Sequence, residues 1–384
     1  MVTLVHGDVD PAFRAVREIF EASFADGQNL GAGVAVYVDG RRVVDLWGGV
    51  ADAKTGRAWE VDTQCVTFSC TKAVTATAAL RVAAADDIDL DAPVSTWWPE
   101  YACAGKESTT LVDFLTHRAG LPVLERPVSA AEAADPEFIA TLLAAQTPLW
   151  EPGTRHGYHA LTYGWLLGEF IRRRTDSTVG DYVRGNLGPD LHIGVPSALL
   201  DQTARLTFPP AAEQEWTADP APITPETANR MARTYRDPTS LVLRSTANPR
   251  AAYNDPQVLT GGWPATGLTT TARALATFYR DLIAGALLPL PVLSDAIRER
   301  VRGTDEVLQL TSAYALGYTL PADNMIVPEP ARPSCFGHPG AGGSIGLADP
   351  THHLAFAFIP NLRRDWLSGD RRAHNLLEAV YAAL

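Results

Sequence analysis

A serine and a lysine stand three residues apart in Ser69-Cys70-Thr71-Lys72, where the run "VTFSCTKAVTATAALRVAAADD" takes on helical spacing. One helical turn separates them, so both side chains share a face and the amine reaches the hydroxyl. A primary hydroxyl becomes an effective nucleophile only when a neighbouring base takes its proton, and a lysine in a partly desolvated cleft can do so. The helix start also sets Ser69 near the positive end of the macrodipole. The competing reading makes Ser69 a helix cap and Lys72 a surface cation. Composition bears on this choice: lysine occurs only at Lys54, Lys72 and Lys106, so almost every other cation is arginine, which cannot act as a base.

Two further stretches carry chemistry of the same kind. In "PLWEPGTRHGYHALTYG" a Pro-Gly turn delivers Tyr158 to the expected start of a helix. A phenol beside a cation is expected to ionise below its ordinary pKa of about 10 and to relay a proton, whereas a tyrosine after a turn can equally be a packing residue. In "CFGHPGAGGSIG" a glycine-dense turn runs into an apolar strand, where the backbone can approach a ligand and aim an N–H at a developing oxyanion. The same stretch contains Gly342-Gly343-Ser344-Ile345-Gly346, a match to the nucleophile elbow G-x-S-x-G. That elbow needs a strand, a sharp turn and then a helix, but "IGLADPTHHLAFAF" reads as a β-hairpin, so Ser344 is expected to be structural.

The elements that must position these groups follow from periodicity and turn signals. An amphipathic helix is expected over about 11–24, and "GAGVAVYVDGRRVVDLWGG" reads as two strands joined at Asp39-Gly40. Helical spacing dominates from Thr71 onward in "TLVDFLTHRAGLP", "AEAADPEFIATLLAAQ" and "HALTYGWLLGEFIRRR". Residues 200–257 are rich in proline, threonine and polar residues, which predicts a long excursion or lid. After the helix in "TTTARALATFYRDLIAG", two strands cross an Asp-Pro-Thr-His turn, and a last helix is expected over about 370–383. This order predicts an α+β fold: residues 1–65 and 258–384 build one domain around an antiparallel sheet, and residues 66–257 form a mainly helical domain. The site is expected in the cleft between them.

Composition excludes several classes. A net charge of -12, with arginines scattered over the chain, offers no basic stripe for nucleic acid. No run has the roughly 18 apolar residues of a membrane span and no leader pattern opens the chain, so a cytoplasmic location is expected. Cys65, Cys70, Cys103 and Cys335 form no CxxC or metal-ligand pattern, and no HExxH occurs among the nine histidines, so neither a metal nor another cofactor is expected.

Taken in register, these pieces resemble the serine-dependent penicillin-recognising superfamily of class C β-lactamases, DD-peptidases and, most closely, family VIII carboxylesterases. The resemblance covers nearly the whole chain. It rests on Ser69-x-x-Lys72, on "LVDFLTHRAGLP" beside the family's "LLTHTSGLP", on the "PGT" turn before Tyr158, and on His338-Pro339-Gly340 where β-lactamases have Lys-Thr-Gly. It implies a β-lactamase/DD-peptidase-like fold and catalysis by Ser69, Lys72 and Tyr158. It also implies an oxyanion hole from the N–H groups of Ser69 and Ala341, and a substrate wall including His338, Gly340 and His159. Which of Lys72 and Tyr158 is the formal base stays open at this level, because a coupled pair titrates as a unit.

The departures from the family pattern point to substrate. Tyr-x-Asn is here Tyr158-His159-Ala160, and alanine offers no hydrogen bond; His338 is expected to be neutral, and Pro339 has no hydroxyl and no N–H. A site without those partners should hold β-lactams and peptides weakly, whereas a small carboxylic ester demands less. The expected activity is a carboxylesterase acting through an acyl-enzyme. The alternatives are an acyltransferase on the same scaffold, a weak β-lactamase or DD-peptidase-like penicillin-binding protein, and a sensor acylated once. Trp97, Trp98, Trp150 and Trp263 are candidate apolar walls, with burial in the core as the competing reading.

Overall fold

The computed structural model describes residues 4–208, 230, 233–364 and 370–384. The N-terminal part supplies β1 (Val5–Val9), the helix α1 (Arg14–Ala25), β2 (Gly31–Val38), β3 (Arg41–Asp52) and the short β4 (Arg57–Ala58). Asp39 and Gly40 close the β2–β3 hairpin with φ of 50 and 74°, the left-handed pair that a two-residue hairpin favours. Three short strands, β5 (Cys65–Val66), β6 (His192–Ile193) and β7 (Leu268–Thr270), pair in the order β5-β7-β6, and β8 (Val301–Thr304) pairs with β9 (Thr311–Tyr314). The chain then returns through β10 (Phe336–Pro339), β11 (Ile345–Asp349) and β12 (Leu354–Pro360) to complete the main sheet in the order β1-β3-β2-β12-β11-β10. All of its ladders are antiparallel.

Burial on both faces explains the unbroken apolar sequences of the central strands, in which every residue of β12 is buried. One face carries a core of Phe20, Val34, Phe356 and Leu377 beneath α1 and the terminal helix Arg371–Tyr381. The other face receives the helix Ala272–Ile283, which packs on β2, β11 and β12, and beyond it the larger core of the helical part. At the centre of that core lies α2 (Thr71–Ala85), whose alanines and threonines leave it buried on nearly every side. Small side chains let neighbouring segments approach closely, and Lys72 is thereby carried into the interior.

The expected helices are present with shifted bounds. The sequence "TLVDFLTHRAGLP" yields only α3 (Leu111–Leu115), closed by a Thr110–Asp113 capping box, and Pro136 divides the next run into Ala130–Ala133 and Pro136–Ala145. Of the expected excursion over 200–257, residues 209–229, 231 and 232 lie outside the described residues, and the described flanks include the helices Leu241–Ala247 and Pro256–Thr260. All four cysteines are free, and no helix among the described residues is long and apolar enough to cross a membrane.

Asn361 joins the layers after β12: its amide donates to the carbonyls of Val50, Ala51 and Arg205 and its oxygen accepts from the N–H of Gly31. The residue is fully buried, so truncation strands several polar groups at once. Asn361→Ala is therefore expected to lower unfolding free energy by about 3 kcal/mol, read as a reduced urea midpoint at an unchanged slope. A loss below about 1 kcal/mol would show that water replaces these bonds.

Candidate active site

Ser69 sits in a tight turn just before α2, after Phe68 at φ 49°, and the N–H of Lys72 bonds to the Ser69 carbonyl as the helix begins. The Lys72 amine has no solvent exposure. Its Nζ lies 2.7 Å from the Ala160 carbonyl oxygen, 3.1 Å from that of Ala265 and 3.4 Å from Ser69 Oγ. Burial holds the lysine well below its usual pKa, with no carboxylate among the described residues to offset it. From the other side, Tyr158 Oη donates to Ser69 Oγ at 2.7 Å. The hydroxyl, amine and phenol thus converge on one oxygen.

Tyr158 differs from expectation in two respects. It does not begin a helix, which starts at Thr162; it lies in a strut outside regular secondary structure, whose backbone is captured residue by residue. The Gly157 N–H donates to the His117 carbonyl, the Tyr158 N–H to Asp305 Oδ1, and the His159 N–H to His117 Nδ1. Nor is the phenol easily ionised. Burial drives its pKa up, and Lys72 Nζ lies over the ring face, 4.7 Å from its centroid. Desolvation outweighs the hydrogen bond to Ser69, and Tyr158 is a neutral donor.

The Pro339–Ser344 turn closes the opposite wall and is tied directly to the serine turn. Cys70 Sγ donates to the His338 carbonyl at 3.2 Å, and Ser344 Oγ donates to the Thr67 carbonyl at 2.9 Å. Gly340 is required by contact: a Cβ there would lie 2.1 Å from the Thr67 oxygen and 2.3 Å from Ser344 Oγ. Ser344 leads into β11, a strand between β10 and β12, so the strand-turn-helix of a nucleophile elbow is not formed. The N–H groups of Ser69 and Ala341 bond to no acceptor among the described residues.

These residues border a cavity of about 400 Å³. Ser69, Tyr158, His338, Gly340 and Ala341 all line it. Burial pushes His338 down to about 3, so its imidazole is neutral; Nδ1 donates to the Pro339 carbonyl. His159 is not in this wall and its assignment as a substrate contact is corrected. Its Nδ1 bonds the Gly157 carbonyl and its Nε2 accepts from the Leu121 N–H, behind the strut. Tyr158 lines the cavity and His159 does not. Trp97, Trp98, Trp150 and Trp263 also lie outside the lining, packed in hydrophobic clusters; Phe68, Phe208, Tyr235, Tyr253 and Tyr314 form the aromatic wall instead.

Sequence reasoning missed Asp305 and His117 as supports. Asp305 is fully buried, with Oδ1 accepting from Tyr158, Val307 and Leu308 N–H groups and Oδ2 from the Ser312 hydroxyl. It fixes the strut that carries Tyr158, yet lies 147 positions away, beyond any local pattern. Asp305→Ala is expected to slow labelling of Ser69 by a fluorophosphonate by roughly tenfold or more, while Asp305→Asn, which keeps an accepting oxygen, retains most of the rate. Equal rates in both variants, with the fold intact by circular dichroism, would remove Asp305 from this role.

A family model described as Beta-lactamase matches residues 16–381. The chain is 32% identical over 374 residues to the esterase/beta-lactamase LipL of Mycobacterium tuberculosis (strain ATCC 25618 / H37Rv), covering 93% of this chain and 83% of that protein. The solved structure of a family VIII carboxylesterase superposes with a TM-score of 0.87 at 30% identity, over 99% of this chain and 100% of that one. A penicillin-binding protein homologue from Caulobacter crescentus superposes with a TM-score of 0.83 at 34% identity, over the same shares of the two chains. With a match that runs from α1 to the terminal helix, and esterases among its relatives, the chain belongs to the Beta-lactamase family and is a serine hydrolase.

Proposed function

We propose that the protein is a carboxylesterase that cleaves small carboxylic esters through an acyl-enzyme on Ser69. The observation that carries this reading is the arrangement of acceptors around Lys72. A neutral amine has two N–H groups and one lone pair; the carbonyls of Ala160 and Ala265 take the two N–H groups, which leaves the lone pair for Ser69 Oγ. The opposite pKa shifts of Lys72 and Tyr158 divide the labour. Lys72, pushed down, is the base, and Tyr158, pushed up, is the acid.

In acylation, the Ser69 proton passes to Lys72 Nζ as Oγ bonds to the ester carbonyl carbon. The carbonyl oxygen becomes an oxyanion between the N–H groups of Ser69 and Ala341, each donor worth about 3 kcal/mol or more in such sites. The intermediate collapses, the carbon–alkoxide bond breaks, and the alkoxide takes the Tyr158 proton; the Lys72 ammonium restores it. Water then repeats the sequence on the acyl-enzyme, giving its proton to the Lys72–Tyr158 pair and releasing the acid and Ser69. His338, neutral and without the charge of a Lys-Thr-Gly lysine, and Ala160, without an amide, favour an ester over a β-lactam.

With 4-nitrophenyl butyrate, Ser69→Ala is expected to lower kcat/KM about a thousandfold or more, and Lys72→Arg, which puts a permanently protonated group there that cannot accept the serine proton, comparably. Ser344→Ala, which removes a supporting bond and no reacting group, should lose less than about tenfold. Equal losses at Ser69 and Ser344 would contradict the assignment. Because only the neutral amine accepts the serine proton, wild-type kcat/KM should rise with pH as Lys72 deprotonates, over a range below that of an ordinary lysine. If turnover is negligible until an alcohol or amine acceptor is supplied, the enzyme is an acyltransferase.

A further inference from the structure

Arg363 follows β12 and lines the same cavity, although no motif drew attention to it. Its backbone N–H is fixed to the Thr207 carbonyl at 2.9 Å, and its stem packs against Gly342, where a Cβ would lie 2.4 Å from Arg363 Cγ. The guanidinium sits over Phe68, the residue before Ser69, at 5.2 Å from the ring centroid, and over Phe208 at 5.6 Å. Stacking engages the faces of the group and leaves its N–H edges for a planar acceptor. Among the described residues no carboxylate pairs with Arg363, and its Nε is buried without a hydrogen-bond partner.

The other charged groups of the lining do not compensate it. Asp370 is committed to Arg372, which bonds both of its carboxylate oxygens. His338 is neutral and cannot hold an anion. Among the described residues, a cation without a carboxylate partner thus lines the same cavity as the reacting serine, in a protein whose net charge is -12. A neutral ester leaves it unpaired, whereas a substrate carboxylate can engage it through two parallel hydrogen bonds.

We propose that Arg363 selects esters that carry a second, free carboxylate, such as monoesters of short dicarboxylic acids, by pairing its guanidinium with that group. The proposal rests on the esterase reading for turnover but not for binding.

The test compares mono-4-nitrophenyl glutarate with 4-nitrophenyl valerate, nearly the same acyl chain with and without the carboxylate. Wild type should favour the glutarate in kcat/KM by about tenfold or more, chiefly through KM. Arg363→Gln should collapse that ratio towards one, and Arg363→Lys should keep part of it. A wild-type ratio near one, or a ratio unchanged in Arg363→Gln, overturns the proposal. If wild type hydrolyses neither ester, the esterase reading fails, and calorimetric titration with monomethyl glutarate decides the anion site separately. Binding lost in Arg363→Gln supports it; no binding to wild type, or equal binding to both, overturns it.

Discussion

The site depends on an amine held where water does not reach it and no carboxylate among the described residues neutralises it. Removing an ammonium ion from water costs several kcal/mol even after the protein relaxes. That cost pushes Lys72 well below its ordinary pKa, and the backbone carbonyls of Ala160 and Ala265 receive two of its N–H groups. Much of the helical part serves that placement. The small residues of α2 bring the segments around Ala160 and Ala265 close, and Thr75 fastens the latter by donating to the Pro264 carbonyl at 2.7 Å.

The remaining groups are held by bonds between segments distant in sequence. His117 and Asp305 take three consecutive N–H groups of the strut that carries Tyr158, so the phenol is aimed by its backbone as well as its ring. Cys70 and Ser344 tie the β10–β11 turn to the serine turn, and Gly340 permits the approach. Such over-determination fits a reaction in which a misplacement of about 1 Å can cost a hundredfold in rate.

The parts legible in the sequence were those fixed by local spacing. Ser69 and Lys72 are one turn apart, the Asp39-Gly40 hairpin has its own turn chemistry, and the doubly buried strands read as unbroken apolar runs. What escaped depends on burial and distant contacts. The helix expected to begin at Tyr158 begins only at Thr162, because acceptors far along the chain capture the strut's N–H groups. The phenol's pKa moves opposite to the local expectation because desolvation, invisible in the sequence, exceeds the effect of its hydrogen bond to Ser69. His159, implied in the wall by the resemblance, instead bonds the Gly157 carbonyl and the Leu121 N–H behind the strut. The four tryptophans pack in hydrophobic clusters, as large apolar residues do by default, and smaller aromatics from segments scattered along the chain line the cavity.

The scarcity of lysine makes the central claim directly measurable. Selective carbon-13 labelling of lysine yields side-chain signals from Lys54, Lys72 and Lys106 alone, with Lys72 assigned by its loss in Lys72→Arg. The account predicts that Lys72 titrates well below the ordinary lysine value of about 10.4, with its amine neutral over the pH range in which Ser69 reacts. A Lys72 signal that titrates like that of an exposed lysine would contradict it.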